Sequence, residues 1–243
     1  MFLYFSIPYL FCNCCGKPVH NYSVTKPSSN VQYFACHDGL TLHDSIVNNI
    51  PLDESTEDGK IEAVNRLKLA NALLLTSQGI AFLHAGQERG RTKTAFTTAG
   101  TDDCETIGNF VKNSYDSSDN INNFVWNISD LNKDLLEYTK NLISLRKNNS
   151  AFTISTQDEV MSRISLLGEY CDDFFMAYKI ADSEGDWYLF FNSNKEDKKI
   201  DFPIENHTKL YADKEKVYPF GTECCLQDVV VRGSSVLFLR NVK

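Results

Sequence analysis

Residues 31–46 read VQYFACHDGLTLHDSI and set an imidazole and a carboxylate, His37 and Asp38, side by side directly after a short apolar run. Residues 31–36 are rich in β-branched and aromatic types and Gly39 breaks the pattern, so the run reads as a strand that ends at the pair. Where a strand of a parallel α/β fold gives way to its loop, side chains are placed to act on a ligand, and a charged pair there reads as chemistry before it reads as packing. A carboxylate withdrawn from water at such a point needs a partner or a task. A second reading stays open at this level. Asp38 could cap a short helix starting at Gly39 or Leu40, its oxygen accepting a backbone N–H left unpaired in the first turn, with His37 an ordinary loop residue.

The elements around the pair follow from periodicity. Ile61, Val64, Leu67, Leu69, Ala70, Leu73 and Leu74 recur at the spacing of a wide apolar helix face, with Asp58 and Glu62 near the predicted start and Gly79 near the stop. Residues 80–84 are a second short apolar run, which opens into HAGQERGRTK. The order is strand, helix, strand. A further amphipathic helix is predicted from Leu131, Leu135, Tyr138, Leu142 and Leu145 and closes at residues 147–149. From about Ala151 the texture becomes β-like, with runs at 162–167, 174–180, 187–191 and 235–239 and turn signals at 182–185 and 192–194, which predicts an antiparallel β-sandwich.

Three blocks carry a resemblance to a known family. His37, Asp38, Gly39, Thr41, Leu42 and Asp44 match its pattern after the seventh strand of a barrel. His84, Ala85 and Gly86, followed by Arg91, Thr92 and Lys93, match the pattern of the eighth strand. Asn113, Ser114, Tyr115, Asp119, Ile121, Asn122 and Trp126 match the loop that comes next. In this order the blocks resemble the α-amylase superfamily of glycoside hydrolases, in its debranching branch of type I pullulanases and isoamylase-like enzymes. The departures are Arg89-Gly90 where the family has an apolar pair, a longer loop over residues 94–112, and Val125 where it often has Asp.

The resemblance implies an α/β plus all-β chain. Residues 31–150 would be the C-terminal part of a (β/α)8 TIM barrel, its last two strand-helix units, and residues 151–243 the β-sandwich, with 1–30 an atypical N-terminal segment. It implies hydrolysis of α-1,6-glucosidic branch linkages in pullulan, glycogen or starch dextrins with retention. Asp38 is then the acid that stabilises the oxocarbenium-like transition state, and His37 binds the same sugar ring. Asn113, Tyr115, Asp119 and Asn122 become candidate glucan contacts, since a sugar wants hydrogen-bonding groups at its hydroxyls and an aromatic on its C–H face. An ordinary polar loop has the same composition, and His84 reads equally as a hydrogen-bonded core histidine.

A whole barrel takes ~250 residues, and retention needs two carboxylates ~5–5.5 Å apart flanking the bond. In the resembling enzymes both follow earlier strands, whereas the 36 residues before His37 contain neither Asp nor Glu. The expectation is an incomplete catalytic unit, inactive alone, whose missing strands another chain could supply. The alternative is a non-catalytic glucan-binding remnant or an unstable relic. Unpaired strand edges would make either poorly soluble.

Composition narrows the field. A net charge of −8 argues against nucleic acid, and 42% hydrophobic residues supply a core. The apolar residues 1–11 lack the basic start and small-residue cleavage site of a secretory signal and are too short to cross a bilayer, so no membrane partner and a cytoplasmic location are expected. Cys12, Cys14 and Cys15 near His20 do not match a zinc spacing, Cys36 on the predicted strand reads as a small buried hydrophobe, and Cys104, Cys171, Cys224 and Cys225 follow no disulfide framework. No metal and no cofactor are expected.

Overall fold

The computed structural model describes residues 25–95, 104–224 and 226–243; the expectations for the N-terminal apolar run and for Cys12, Cys14, Cys15 and His20 lie outside these. Strands β1 (Val31–Gln32) and β2 (Ile80–Ala81) pair in parallel, Val31 opposite Ile80 and Gln32 opposite Ala81. Helices α1 (Leu42–Asn49) and α2 (Glu57–Thr76) form the crossover between them. Both strands are shorter than the apolar runs that predicted them, because each has one strand neighbour among the described residues. The alternation nevertheless persists along the runs. Phe34, Ala81 and Leu83 pack on the core under the helices, while Val31, Tyr33, Ile80 and Phe82 project from the other face and are exposed. The Tyr33 and Phe82 rings meet edge to face there, 6.1 Å apart.

Thr41 caps α1, its hydroxyl accepting from the Asp44 N–H at 3.1 Å. Asp38 therefore does not cap the helix, and the cap reading of the first block is set aside. Gly39 at φ +77° turns the chain between Asp38 and the true cap. Thr56 caps α2 through the Gly59 N–H, and Glu57 and Asp58 fall in its first turn, where the helix dipole favours them. The helix is buried on nearly all sides from Ala63 to Thr76, beyond the one-sided stripe its periodicity predicted, since it lies between other helices and a sheet. At Gly79, with φ +91°, an added Cβ would sit 2.6 Å from the Asn30 carbonyl oxygen, so only glycine admits the return into β2.

A small hairpin, β3 (Thr106–Ile107) and β4 (Phe110–Val111), and a one-turn helix, α3 (Asp119–Asn122), follow β2. Helix α4 (Asp130–Asn148) buries Leu135, Tyr138, Leu142 and Leu145 on the predicted face. Arg146 on α4 donates from Nη1 to the carbonyls of Leu75 (2.9 Å) and Ser77 (2.6 Å) and from Nη2 to that of Gly79 (2.7 Å). It thereby satisfies acceptors that the end of α2 leaves unpaired.

Helix α5 (Gln157–Arg163) takes Ser162 and Arg163, two residues the sequence assigned to a strand, and β5 is only Ile164–Leu166. The reason is a capping box: Thr156 Oγ1 accepts from the Glu159 N–H, and the Glu159 carboxylate accepts in return from the Thr156 backbone N–H and, at 2.8 Å, from its hydroxyl. The remaining strands are β6 (Phe175–Ile180), β7 (Gly185–Asn192), β8 (Lys198–Ile200), β9 (Thr208–Ala212), β10 (Val217–Glu223), β11 (Val229–Val231) and β12 (Ser235–Val242). Six form an antiparallel sheet in the order β10-β9-β12-β7-β6-β5, and β8 pairs with β11. Tyr178, Leu189 and Phe238 stand in register and face the helices, in one core with Leu73, Leu142 and Phe152. Phe175, Phe190 and Leu239 point the other way, onto Ile200, Val229 and Val231 of the β8–β11 pair. The expected sandwich thus has a two-stranded second layer, and the outer face of its main sheet is closed by α2 and α4 rather than by water.

Polar bonds cross the same junction. Tyr138 Oη donates to the Asp213 carbonyl at 2.8 Å, and Ser234 Oγ donates to Glu62 at 2.6 Å. Gln78 bonds the Ala151 carbonyl and the Ile154 N–H. Replacing Arg146 with Met, which keeps the aliphatic stem, is expected to destabilise the chain by about 3 kcal/mol, because buried carbonyls lose their donor. A urea unfolding midpoint indistinguishable from that of the parent chain would refute the role given to this arginine.

Candidate functional site

His37 and Asp38 follow β1 beyond its C-terminal end, with four residues between Gln32 and His37. Their side chains are 85% and 79% exposed, and His37 Nε2 lies 3.4 Å from Asp38 Oδ2. The pair is presented to solvent beside the exposed apolar face of β1 and β2. What holds it in place is buried beneath.

Asp44, in the first turn of α1, is fully buried. Its Oδ1 accepts from the Thr92 hydroxyl and its Oδ2 from the Lys93 N–H at 2.9 Å, so the loop after β2 is bolted to the helix after β1. Lys93 is 2% exposed. Its ammonium donates to the Gly39 carbonyl at 2.8 Å, directly after Asp38, and to Ser114 Oγ at 3.3 Å, within the third sequence block. One carboxylate and one ammonium therefore tie all three blocks together. Burial pushes the Lys93 pKa below its ordinary value and Arg91 adds to this, while the charges of Asp44 and Asp38 oppose it. The sequence placed Asp44 and Lys93 inside matching motifs without giving either a task. No local signal reveals one, since the bonds that join the blocks link Asp44 to Thr92, 48 residues on, and Lys93 to Gly39 and Ser114, 54 and 21 residues away.

His43 sits between two acids, Nδ1 3.2 Å from Asp44 Oδ1 and Nε2 2.8 Å from Glu54 Oε1. Burial alone would lower its pKa, but the hydrogen bonds and charges of Asp44 and Glu54 outweigh it and raise the imidazole to about 9. His43 is thus a cation at neutral pH. His84, at the end of the second block, goes the other way: burial, then Arg91, Lys93 and His37, push it below its ordinary value. It is neutral at pH 7 and can serve a hydroxyl as donor or acceptor.

The third block is a loop braced from within. Asn122 Nδ2 donates to the carbonyls of Ser114 (2.7 Å) and Ser117 (2.9 Å), and Asn113 Oδ1 accepts from the Tyr115 N–H at 3.3 Å. Arg91 reaches the Asn122 carbonyl at 3.4 Å. Of the predicted sugar contacts, Asn113, Tyr115 and Asp119 are exposed, Tyr115 at 94%, whereas the amide nitrogen of Asn122 is committed to the loop. The structure brings His37, Asp38, His84 and the third block together through Lys93. Among the described residues, no group of three or more His, Cys, Asp or Glu is arranged to hold a metal ion, and no helix is long and apolar enough to cross a membrane. Cys36, Cys104, Cys171 and Cys224 are free thiols.

No family model matches the chain. Pullulanase A of Streptococcus pneumoniae serotype 2 (strain D39 / NCTC 7466) is 43% identical to it over 84 residues, which are 35% of this chain and 7% of that protein. The catalytic module of the multi-modular glycogen-degrading pneumococcal virulence factor SpuA, in complex with an inhibitor, superposes with a TM-score of 0.83 at 27% identity, covering 98% of this chain and 39% of that one. The pullulanase SAP of Group B Streptococcus, solved in complex with maltotetraose, superposes with a TM-score of 0.82 at 27% identity, covering 98% of this chain and 35% of that one. The chain therefore spans well under half the length of these proteins.

Two outcomes follow from the buried hub. The native pKa of His43 lies above its unfolded value of 6.5, so its stabilising contribution, on the order of 3 kcal/mol, is full below pH 6.5 and lost as pH rises through about 9. Urea midpoints measured from pH 6 to 10 should fall along that range in the parent chain and lose most of the slope in His43→Asn. Lys93→Met should leave the sheet intact but raise amide hydrogen exchange at residues 40–44 roughly tenfold or more. Unchanged protection there would show that the ammonium does not hold the loop.

Proposed function

We propose that this partial chain of a pullulanase-type glycoside hydrolase supplies the seventh and eighth strand-helix units of a (β/α)8 barrel, together with the sandwich that follows, and serves to hydrolyse α-1,6 branch linkages in α-glucans with retention. The observation that carries the reading is the Asp44–Lys93 hub. It holds an exposed His-Asp pair at the C-terminal end of a parallel strand and ties that pair to a polar loop with exposed Asn113, Tyr115 and Asp119. Catalytic groups of such barrels sit at that end of the strands. The exposed row of Val31, Tyr33, Ile80 and Phe82 supports the barrel reading, because parallel strands are normally covered on both faces and inward side chains fill a barrel's interior.

In this reading Asp38 is the third carboxylate. It binds hydroxyls of the sugar at the cleavage point and stabilises positive charge as the ring flattens toward an oxocarbenium ion, a contribution that grows in the transition state. His37 and neutral His84 hydrogen-bond the same region, and Asn113, Tyr115, Asp119 and the free oxygen of Asn122 line the glucan path. The nucleophile and the proton donor would come from strands preceding β1, in the same polypeptide or in another.

Maltotetraose binding to the 243-residue chain, followed by NMR, is expected to weaken about fivefold or more in Tyr115→Ala and in Asp38→Ala, consistent with loss of a stacking face or a charged hydrogen bond. Joined to the preceding strands, the parent chain should release reducing ends from pullulan, and Asp38→Asn should cut that rate by roughly a hundredfold or more. Glucan binding without any hydrolysis in the completed assembly would leave a non-catalytic glucan-binding module; no binding at all would end the glucan reading.

A further inference from the structure

Two of the three places where the sequence departs from the family pattern it resembles, Arg89 and Val125, meet in the fold. Arg89 Nη2 donates to the main-chain carbonyls of Val125 at 3.2 Å and Trp126 at 2.5 Å. The guanidinium also lies over the rings of Phe124 and Trp126, 5.1 and 5.5 Å from their centroids. The two rings are 4.8 Å apart and tilted by 58°. Trp126 is nonetheless 78% exposed. A large indole left in water, yet gripped from below by an arginine that also fixes its main chain, is preorganised rather than loose. Ordering the ring before a ligand arrives reduces the entropy lost on binding.

The geometry points to Trp126, held by Arg89 and Phe124, as a sugar-stacking subsite for an α-glucan chain, an extension of the path that begins at Asn113 and Tyr115. It rests on the glucan reading above. The occupant follows from continuity: the loop that carries Tyr115 and Asp119 runs through α3 directly into residues 124–126. Arg91 anchors that loop at Asn122, two residues after Arg89 anchors the platform, so one short segment fixes both. A pyranose presents an apolar C–H face to an indole and hydroxyls to neighbouring polar groups, and this surface offers both kinds of contact. No net charge on the ligand is required, because Arg89 is already engaged by carbonyls and rings.

The chain provides its own reporter. It has two tryptophans, and the other, Trp187, is fully buried between Phe152 and Tyr211. Iodide should therefore quench Trp126 and spare Trp187. Saturating maltotetraose is expected to reduce the iodide-accessible emission by half or more. Trp126→Ala should weaken maltotetraose binding, measured by NMR, roughly two- to tenfold, with Trp126→Phe retaining most of the affinity. Arg89→Met should leave the urea midpoint near that of the parent while weakening binding, since it frees the ring without emptying a core. Maltotetraose that binds without protecting Trp126, or with equal affinity to Trp126→Ala, would overturn the subsite and leave the glucan reading standing. Emission already inaccessible to iodide in the free chain would also overturn it. Failure to bind glucan at all would remove both.

Discussion

The candidate site of this chain depends on one buried ion, the Asp44 carboxylate. A charge without solvent is tolerable only when its oxygens are fully engaged, and here the donors come from Thr92, the Lys93 N–H and His43. That requirement fixes the loop after β2 against the helix after β1. The ammonium of Lys93, buried by the same contact, then fixes the Gly39 carbonyl and Ser114. The exposed pair His37 and Asp38 has little structure of its own, since its ordering is imposed from underneath. A surface site on short strands gains rigidity in this way without hiding the groups that must meet a ligand.

The packing below supports the same end. Helix α2 is buried on almost every side because it separates the parallel strand pair from the six-stranded sheet. The main sheet is therefore apolar on both faces, as Tyr178, Leu189 and Phe238 show on one side and Phe175, Phe190 and Leu239 on the other. The junction also carries directional bonds, from Tyr138 to Asp213, from Ser234 to Glu62, and from Gln78 to Ala151 and Ile154. The β-rich part thus acts as the floor against which α2 and α4 hold the loops of the candidate site.

Much of this was legible in residue order. The period of Leu135, Tyr138, Leu142 and Leu145 marked the buried face of α4, and the apolar, aromatic run at 187–191 marked a strand. The short strands β8, β9 and β11 left no comparable signal, because at three to five residues their pattern is carried by cross-strand partners rather than by the chain itself. The helix over residues 157–163 took the first two residues of an expected strand for a local reason that was readable, the Thr156 and Glu159 box. The site divides in the same way. His37, Asp38, Tyr115 and Asp119 were named by motif, while the work of Lys93 was not, and Asn122 was assigned to the ligand although its amide nitrogen braces the loop.

Element types, their order and the chemistry-bearing pair were thus encoded locally, in hydrophobic period, in turn residues and in the spacing of short blocks. Those signals act over a few residues, which is the range of a helical turn or a strand repeat. Which side chains are partners was decided only in three dimensions. The Asp44–Thr92, Lys93–Gly39 and Arg89–Trp126 contacts join residues 37 to 54 positions apart, and the first two exist because a buried charge must find a partner. Burial and the distances between partners are properties of the folded chain, so the His43 cation held by Asp44 and Glu54, the neutral His84 favoured by burial and the ring contacts of Trp126 could be read from the tertiary structure alone.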